Sequence, residues 1–394
     1  MGDEQRTGRR GFIGAASVAV GAAAGLTAAS LPLGGGPASA AAAATGGYPF
    51  WVGPAGSGAP FVIDPAVGAQ QAINDALAAA GQGAVFVAGG THPVAGPVVL
   101  AGQQALVGAG PLSTVLRAAS GYTGGAMVQT SGTPADVRVC IADIGLEAAH
   151  RASGGVALSI SGKPTVYGPD PGPWLGRVFV SNTTGDGIWL GGAYSGGQRE
   201  FKITDCRVEH AGGWAYNLAS SDGFVSGCSA QSGDLGGYNL AGGNIKCWGS
   251  KVYSTGTGST PGPGFRLASA RATVSGCEAQ DTWGCGYEIL GHACVVSGCT
   301  ADSTGIGNAG TDRYSAGFYL HASNLMLTGS AYQRSNGGAS WLGASGMRWA
   351  LYLDGGSDHL NVSLSSDGAQ VGAGPFQGTV FGTVGANSRV TVVG

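Results

Sequence analysis

Eight short segments of the sequence carry variable polar or aromatic residues at one repeated position. Each segment alternates Leu or Ile with a less apolar residue, as in "GIWLGG", "GYNLAG" and "GYEILG". The variable residues are Ala157, Trp189, Asn217, Asn239, Arg266, Glu288, Tyr319 and Tyr352, and His321 and Asp354 follow two positions later in the last two segments. Aromatic rings stack on sugar faces, while amide, guanidinium and carboxylate groups hydrogen-bond to hydroxyls. The pattern predicts a carbohydrate-binding surface made of Trp189, Asn217, Asn239, Arg266, Tyr319, His321 and Tyr352.

Glu288 is the carboxylate in the middle of this set, and we predict that it is catalytic. Cleavage of a glycosidic bond needs an acid that protonates the leaving oxygen and a carboxylate that activates water or attacks carbon. Asp354 is one candidate partner, two repeats further along and roughly 10 Å or more away. Asp281, in the turn before the Glu288 segment, is the other candidate. Asp in such turns commonly caps the turn, so the choice of partner stays open.

A second set of polar residues precedes these segments and offers an alternative groove. Its members are Glu147, Ser181, Glu209, Gln231, Ser254, Gln280, Asp302 and Gln333. Aromatic residues occur only beside it, at Tyr253 and Tyr332. We interpret this set mainly as a solvated face.

The segments belong to a repeat whose period predicts how they are positioned. A small-small-Cys step recurs at intervals of 22 to 31 residues, and its last residue is Cys206, Cys228, Lys251, Cys277, Cys299 and Ser330 in turn. Val178 and Ile144 fit the same position more loosely. Gly, Ser, Thr and Asn separate the strands, and no helical spacer intervenes. Short strands at this period predict a solenoid of parallel strands, in which equivalent residues stack about 4.8 Å apart.

From about Phe61 to the C-terminus, the chain resembles the right-handed parallel β-helix proteins of the pectate-lyase-like superfamily. The stretch "DPAVGAQQAINDALAAAGQGAVFVAGGTHPV" predicts a short amphipathic helix followed by a first strand, and the resemblance implies that this helix caps the solenoid. The fold class is therefore all-β, a right-handed parallel β-helix with a short N-terminal capping helix. A β-propeller or sandwich would need hairpin signals such as Asn-Gly turns, which are scarce here.

The resemblance implies a carbohydrate substrate but transfers no catalytic residue, because the catalytic signatures of polygalacturonase-like and pectate-lyase-like families are missing. We predict a glycoside hydrolase. A polysaccharide lyase, using Arg266 and His321 on a uronate, is one alternative, and a fructan transferase is another. A non-catalytic, tailspike-like glycan-binding protein would carry the same aromatic column without an acid-base pair.

The cysteines are expected to line an inside corner of the solenoid as small apolar groups. Their even count of eight also permits disulfides between neighbouring rungs. Lys251 fits this ladder badly, and a shift of register around Cys247 is the alternative. No metal-binding or cofactor motif is present in the sequence, so we expect neither a metal nor a cofactor.

Residues 1–40 predict a twin-arginine-type export signal. Arg9 and Arg10 precede a weakly apolar run that ends at Ala38-Ser39-Ala40, a small-x-small cleavage step. A transmembrane anchor is the weaker alternative, because the run is rich in Gly and Ala. We therefore expect a secreted protein with one β-helix domain at residues 41–394.

The amino-acid composition limits the classes of molecule that the protein is expected to bind. Charged residues make up 10% of the chain and the formal net charge is −3, so neither nucleic acid nor an anionic membrane surface is expected to bind. A carbohydrate polymer or oligosaccharide is the expected partner. Low surface charge also favours association, which leads to the hypothesis of a homotrimer.

Overall fold

A computed structural model describes residues 48–122, 124–131, 138–149, 156–160, 172–191, 200–306, 312–332, 346–367 and 378–394. The predicted export signal, at residues 1–40, lies outside this part of the chain. One α-helix, α1 (Ala69–Ala80), and one 3-10 helix (Asp312–Ser315) accompany the strands within these ranges.

The strands are β1 (Trp51–Pro54), β2 (Phe61–Ile63), β3 (Ala84–Val87), β4 (Gly90–Val94), β5 (Val98–Leu100), β6 (Ala105–Val107), β7 (Thr114–Ala118), β8 (Ala126–Thr130), β9 (Cys140–Glu147), β10 (Val156–Ile160), β11 (Trp174–Thr183), β12 (Ile188–Leu190), β13 (Lys202–Thr204), β14 (Arg207–Ala211), β15 (Trp214–Leu218), β16 (Phe224–Ser226), β17 (Ser229–Gly233), β18 (Gly236–Leu240), β19 (Lys246–Trp248), β20 (Lys251–Tyr253), β21 (Phe265–Leu267), β22 (Thr273–Ser275), β23 (Glu278–Gln280), β24 (Tyr287–Ile289), β25 (Val295–Asp302), β26 (Ala316–Leu320), β27 (Ser323–Tyr332), β28 (Trp349–Leu353), β29 (Asp358–Asp367), β30 (Gly378–Phe381) and β31 (Arg389–Val393).

The strands form two parallel sheets, which we call the large sheet (20 strands) and the small sheet (11 strands). Some coils place two short strands in the large sheet and one in the small sheet, as β13, β14 and β15 do. In others one long strand takes both large-sheet positions, as β11 does by pairing with both β13 and β14. The next coil pairs in register with the last, so that β15 pairs with β18 and β18 with β21. The fold is the predicted right-handed parallel β-helix. It begins earlier than Phe61, because β1 precedes that residue and pairs with both β2 and β3.

Helix α1 covers the first coils, as predicted. It buries one apolar face, with Ile73 and Leu77 at its centre. Asn74 ties the helix to the sheet, because its side chain donates to the carbonyl of Pro97 (3.1 Å) and accepts from the amide of Val99 (2.9 Å). A solenoid must cover its terminal apolar layer, since an open layer would pair with another molecule.

The bend between the two large-sheet strands of a coil explains the small-small-Cys step. The residue before the ladder position is left-handed in seven successive coils, with φ between 51° and 62°, at Asp143, Arg177, Asp205, Gly227, Gly249, Gly276 and Gly298. Gly adopts this conformation without a steric cost. The next residue then turns into the core, and Cys206, Cys228, Cys277 and Cys299 are each at most 2% exposed.

Two predicted members of the ladder are wrong. Ser250, not Lys251, takes the position between Cys228 and Cys277: its hydroxyl accepts from the Cys228 amide (3.3 Å), and its own amide donates to the Cys277 sulfur (3.5 Å). Lys251 is the next residue and faces outward, paired with Glu278.

Gly329, not Ser330, lies opposite Cys299 at the end of the ladder, because a bulge in the β25–β27 pairing shifts the register by one residue. At the upstream end the looser assignments hold, since the Val178 amide donates to the Cys206 sulfur (3.5 Å) and Ile144 pairs with Val178. All eight cysteines are free thiols in the structure, and the sulfur atoms of Cys247 and Cys277 lie 3.9 Å apart.

Inside the small sheet, five aromatic rings form a continuous stack, made of Tyr216, Tyr238, Phe265, Tyr287 and Phe318. Successive ring centroids are 4.5 to 5.1 Å apart and nearly parallel, because the in-register rungs impose their own spacing. Glycine directly precedes four of these five aromatic residues, at Gly237, Gly264, Gly286 and Gly317. At Gly237 a Cβ atom would lie 2.3 Å from a Val252 methyl group, so only Gly lets the small sheet pack so close to the large one.

Candidate active site on the small sheet

The predicted column is in register on the outer face of the small sheet. Backbone pairing joins Trp189 to Asn217, Asn217 to Asn239, and so on through Arg266, Glu288, Tyr319 and Tyr352. Ala157 is a wrong member: it is fully buried, and Ser159 pairs with Trp189 in its place. The inward pair of this strand is Leu158 and Ile160, both fully buried, so the outward residue between them is Ser159.

The upstream half of the column is a chain of amides. The side chain of Asn239 donates to Asn217 (3.0 Å), and Asn217 donates to Asp186 (2.8 Å). Asp186 also accepts from the amide of Trp214 (2.8 Å), which fixes it as a turn-capping carboxylate. The Oδ1 atom of Asn239 is buried and accepts no hydrogen bond from any of the described residues.

Glu288 forms an ion pair with Arg266, its neighbour on the previous rung. The Arg266 Nε atom lies 3.1 Å from the Glu288 carboxylate, and the Glu288 side chain is only 12% exposed. Burial raises the pKa of Glu288, and the charges of Arg266 and Arg313 oppose that rise. The pKa of Glu288 remains above its usual value, so desolvation is the larger effect.

Tyr319, Asp354 and His321 lie together on the next two rungs. The Tyr319 hydroxyl donates to Asp354 (2.7 Å), and His321 Nδ1 is 3.3 Å from the same carboxylate oxygen. The bond from Tyr319, with a second from the amide of Gly355, lowers the pKa of Asp354. Asp354 therefore stays ionised under conditions in which Glu288 still holds a proton.

Aromatic rings continue beyond this cluster. The rings of Tyr319 and Tyr352 are 5.7 Å apart, and Tyr352 stacks on Phe381 at 4.5 Å. At the opposite end Trp189 is half-buried and lies across Gly191, where an added Cβ atom would be 2.9 Å from the ring. The column therefore has an apolar platform at each end, with the charged groups between them.

Sequence patterns did not identify Arg313 as part of this site. It comes from the 3-10 helix that leads into β26, outside the repeat, and its guanidinium lies 5.9 Å from the Tyr319 ring centroid. Its hydrogen bond to Tyr314 (2.6 Å) orients it. Its charge acts on both Glu288 and Tyr319. An irregular insertion carries no periodic signal, so only the three-dimensional structure reveals this neighbour.

Asp281 occupies a different environment from the other two carboxylates. It is the left-handed corner residue after β23 (φ 50°), and it is 3% exposed. The Gln280 side chain donates to it (3.0 Å). This corner position, off the outer face of the small sheet, resembles the turn-capping use of Asp.

The second predicted column lies on the large sheet. Tyr253, not Ser254, pairs with Gln231 and Gln280, and its hydroxyl donates to Gln231. Ser254 is the buried, left-handed corner residue instead. Tyr332 pairs with Asp302, while the predicted member Gln333 lies outside the described residues. This column thus contains two tyrosines that the sequence placed only beside it.

Comparison with solved structures supports the fold. The A-module of the mannuronan C-5 epimerase AlgE6 from Azotobacter vinelandii is 13% identical with a TM-score of 0.55, covering 82% of this chain and 94% of that one. Tailspike protein 2 of the Escherichia coli O157:H7 bacteriophage CAB120 is 13% identical with a TM-score of 0.58, covering 75% of this chain and 40% of that one. The Dettilon tailspike protein is 11% identical with a TM-score of 0.53, covering 80% and 62%.

No protein-family model matches the sequence. No curated protein matches it either. Across the described residues, none of the helices has the length and apolar character needed to cross a membrane.

Proposed function

We propose that the chain is a carbohydrate-active enzyme that cleaves glycosidic bonds of a glycan lying along the outer column of the small sheet. The observation that carries the proposal is that this face holds two carboxyl groups in opposite environments. Glu288 is largely buried, which raises its pKa, whereas Asp354 accepts hydrogen bonds from Tyr319 and Gly355, which lower its pKa. Acid-base cleavage of a glycosidic bond requires one protonated and one ionised carboxyl group, and such environments favour that division.

Glu288 is the general acid in this proposal. Its burial raises the pKa and so favours the protonated form, whose proton is delivered to the leaving glycosidic oxygen. Arg266 limits the rise in pKa, so that the proton can still be given up, and stabilises the carboxylate that forms.

Asp354 is the partner carboxylate. The donors on Tyr319 and Gly355 hold it ionised and oriented, ready to activate water or to attack the anomeric carbon. The glycan itself would stack on Trp189 and Tyr352 at the two ends, and hydrogen-bond to the amides between them. The structural neighbours point the same way, since one of them is named as an epimerase of the polysaccharide mannuronan.

The substitution Glu288→Gln tests the acid. It keeps the shape of the side chain and removes the ionisable proton, so turnover should fall by about two to four orders of magnitude while glycan binding persists. Glu278→Gln is the matched control, because Glu278 is paired with Lys251 on the large sheet, away from this face. Turnover near that of the unsubstituted enzyme in Glu288→Gln would remove Glu288 from the mechanism.

A polysaccharide lyase is the second candidate, and the two guanidinium groups acting on Glu288 favour it. Arg266 and Arg313 both lower the pKa of that side chain, and the same charges could neutralise a uronate carboxylate. Incubation with neutral and uronic polysaccharides distinguishes a hydrolase from a lyase. Hydrolysis yields reducing ends alone, whereas elimination also yields an unsaturated sugar that absorbs in the ultraviolet.

A further inference from the structure

A column of alternating aromatic and cationic side chains runs along the large sheet, on a different face from the proposed active site. It consists of Trp174, Lys202, Phe224 and Lys246, which pair in register on four successive rungs. We call it the Trp-Lys column. Equivalent groups recur on every second rung, so the two aromatic rings and the two ammonium groups each have backbones about 10 Å apart.

The aromatic members are unusually open to solvent. Trp174 is 36% exposed and Phe224 is 39% exposed. Trp248, two residues beyond Lys246 on the same strand, is 44% exposed and meets Phe224 edge to face, with ring centroids 5.8 Å apart. Ser226 pairs with Trp248 on the preceding rung and Thr204 pairs with Ser226 on the rung before that, so both add hydroxyl groups to the same face. A cluster of exposed aromatic groups on the surface of a sheet indicates a site that binds a ligand or a partner molecule.

The lysines of this column differ from four other basic residues on the large sheet. Arg117, Arg177, Arg207 and Lys251 each form an ion pair with a carboxylate. Lys246 instead contacts neutral oxygens, on Asn244 (2.8 Å) and Thr273 (3.2 Å), and Lys202 forms no ion pair within the described residues. No acidic residue belongs to this column, although Asp222 approaches Lys246 through Asn244, whose side-chain amide donates to that carboxylate (2.7 Å). Neither lysine has a direct ion-pair partner within the described residues, so both can meet an external anion.

We propose that the Trp-Lys column binds a strand of an acidic polysaccharide, separately from the site on the small sheet. An extended chain of pyranose rings running along the solenoid presents an apolar ring face to Trp174 and Phe224 in turn. Its carboxylate or sulfate groups meet Lys202 and Lys246 between those contacts, and ring hydroxyls meet Thr204 and Ser226. Such a surface holds a long polymer on the protein and raises its local concentration near the small sheet.

A second copy of the chain fits this face less well. Self-association through one face brings the same patch of each copy together, so the unpaired lysines would oppose each other. Like charges brought together in this way repel and disfavour the contact. An anionic polymer instead neutralises both lysines while covering the aromatic rings.

The test uses full-length protein carrying Glu288→Gln, which should slow the consumption of polymer during the measurement. Its mobility is measured by affinity electrophoresis in native gels containing alginate, polygalacturonate or neutral dextran. Two double variants are compared with it: Phe224→Ala with Trp248→Ala, and Lys202→Gln with Lys246→Gln. Lys251→Gln is the matched control, because this lysine is already paired with Glu278. Any retardation caused by the small sheet is common to all these proteins, so differences report the Trp-Lys column alone.

Each double variant should weaken the binding of at least one acidic polymer by about tenfold or more, and Lys251→Gln should not. Added salt should abolish most of the difference made by the lysine pair. Three results would overturn the proposal. The first is equal retardation of all the proteins by the acidic polymers, and the second is retardation by neutral dextran as strong as that by the acidic polymers. The third is an oligomer of the parent protein that dissociates in the Phe224→Ala, Trp248→Ala variant. The last would assign the surface to contact between copies. The cleavage assays decide the function of the small sheet independently of these outcomes.

Discussion

The two faces of the small sheet are made by the same strands, yet their residues repeat in different ways. The inner face of β15, β18, β21, β24 and β26 is an aromatic ring on every rung, and the rings stack at nearly constant spacing. The outer face of these strands reads amide, amide, guanidinium, carboxylate and phenol.

This difference separates stability from chemistry. A parallel stack is stabilised by like residues on neighbouring rungs, because identical rings meet at one distance and one angle. Catalysis needs unlike groups on neighbouring rungs, because the charge or hydrogen bond of one group shifts the pKa of the next. The comparison predicts that substitutions on the inner face of the small sheet reduce stability, whereas substitutions on its outer face reduce turnover.

Asp354→Asn should have the largest effect after Glu288→Gln. Removal of the ionised carboxylate should lower turnover by about two to four orders of magnitude, with little change in melting temperature. Steady-state rates and thermal unfolding of the same preparation measure both. His321→Gln, which leaves the Tyr319 hydrogen bond to Asp354 in place, should cost less. If Asp354→Asn retained full turnover, Asp281 would become the candidate partner, and Asp281→Asn would then be the variant to test.

Phe265→Ala should show the opposite behaviour. Phe265 is fully buried between Tyr238 and Tyr287, so the loss of its ring should lower the free energy of unfolding by about 3–5 kcal/mol. Phe265→Leu fills most of the space and should cost less. Chemical denaturation gives both values, and turnover per folded molecule should change far less than stability. A large loss of turnover without a loss of stability would break the division between the two faces.

Arg266→Met should shift the pH profile of cleavage. Arg266 lowers the pKa of Glu288, so its removal should raise that pKa further. The general acid works only while protonated, and activity falls as pH rises through its pKa. The alkaline limb of the turnover profile should therefore move to higher pH in the variant. Arg313→Met should move it in the same direction, while Lys251→Gln should leave it in place.

Two tyrosines of the inner stack provide the finest comparison. The Tyr287 hydroxyl donates to the carbonyl of Cys277 (2.7 Å) and approaches that of Thr300 (3.2 Å), so Tyr287→Phe should cost about 1–3 kcal/mol. The Tyr238 hydroxyl is buried and, among the described residues, makes no hydrogen bond of good geometry, although the Ser250 side chain is a polar neighbour. Tyr238→Phe should therefore be neutral or slightly stabilising. Equal losses in the two variants, measured by urea unfolding, would show that the stack does not distinguish these hydroxyls.

Much of the fold follows from local patterns in the sequence. The recurrent Gly-Cys step specifies a left-handed residue and an inward turn, and the Gly-aromatic strand specifies which side chains face the core. The outer column from Trp189 to Tyr352 follows from the same alternation. The error at Ala157 arose because Leu158 and Ile160 form the inward pair of that strand, which makes Ser159 the outward residue. The error at Lys251, in the cysteine ladder, arose because Ser250 replaces Cys there.

The chemistry of the site depended on the tertiary structure. The sequence by itself determined that Glu288, Arg266 and Tyr319 occupy successive rungs, because register in a parallel stack follows from the repeat. Only the folded chain places Arg313, from an irregular helix, near Glu288, and joins Tyr319 to Asp354 by a hydrogen bond. The pKa values of the two carboxyl groups depend on burial and on charges from other coils. Those influences act through space, so no pattern along the chain encodes them.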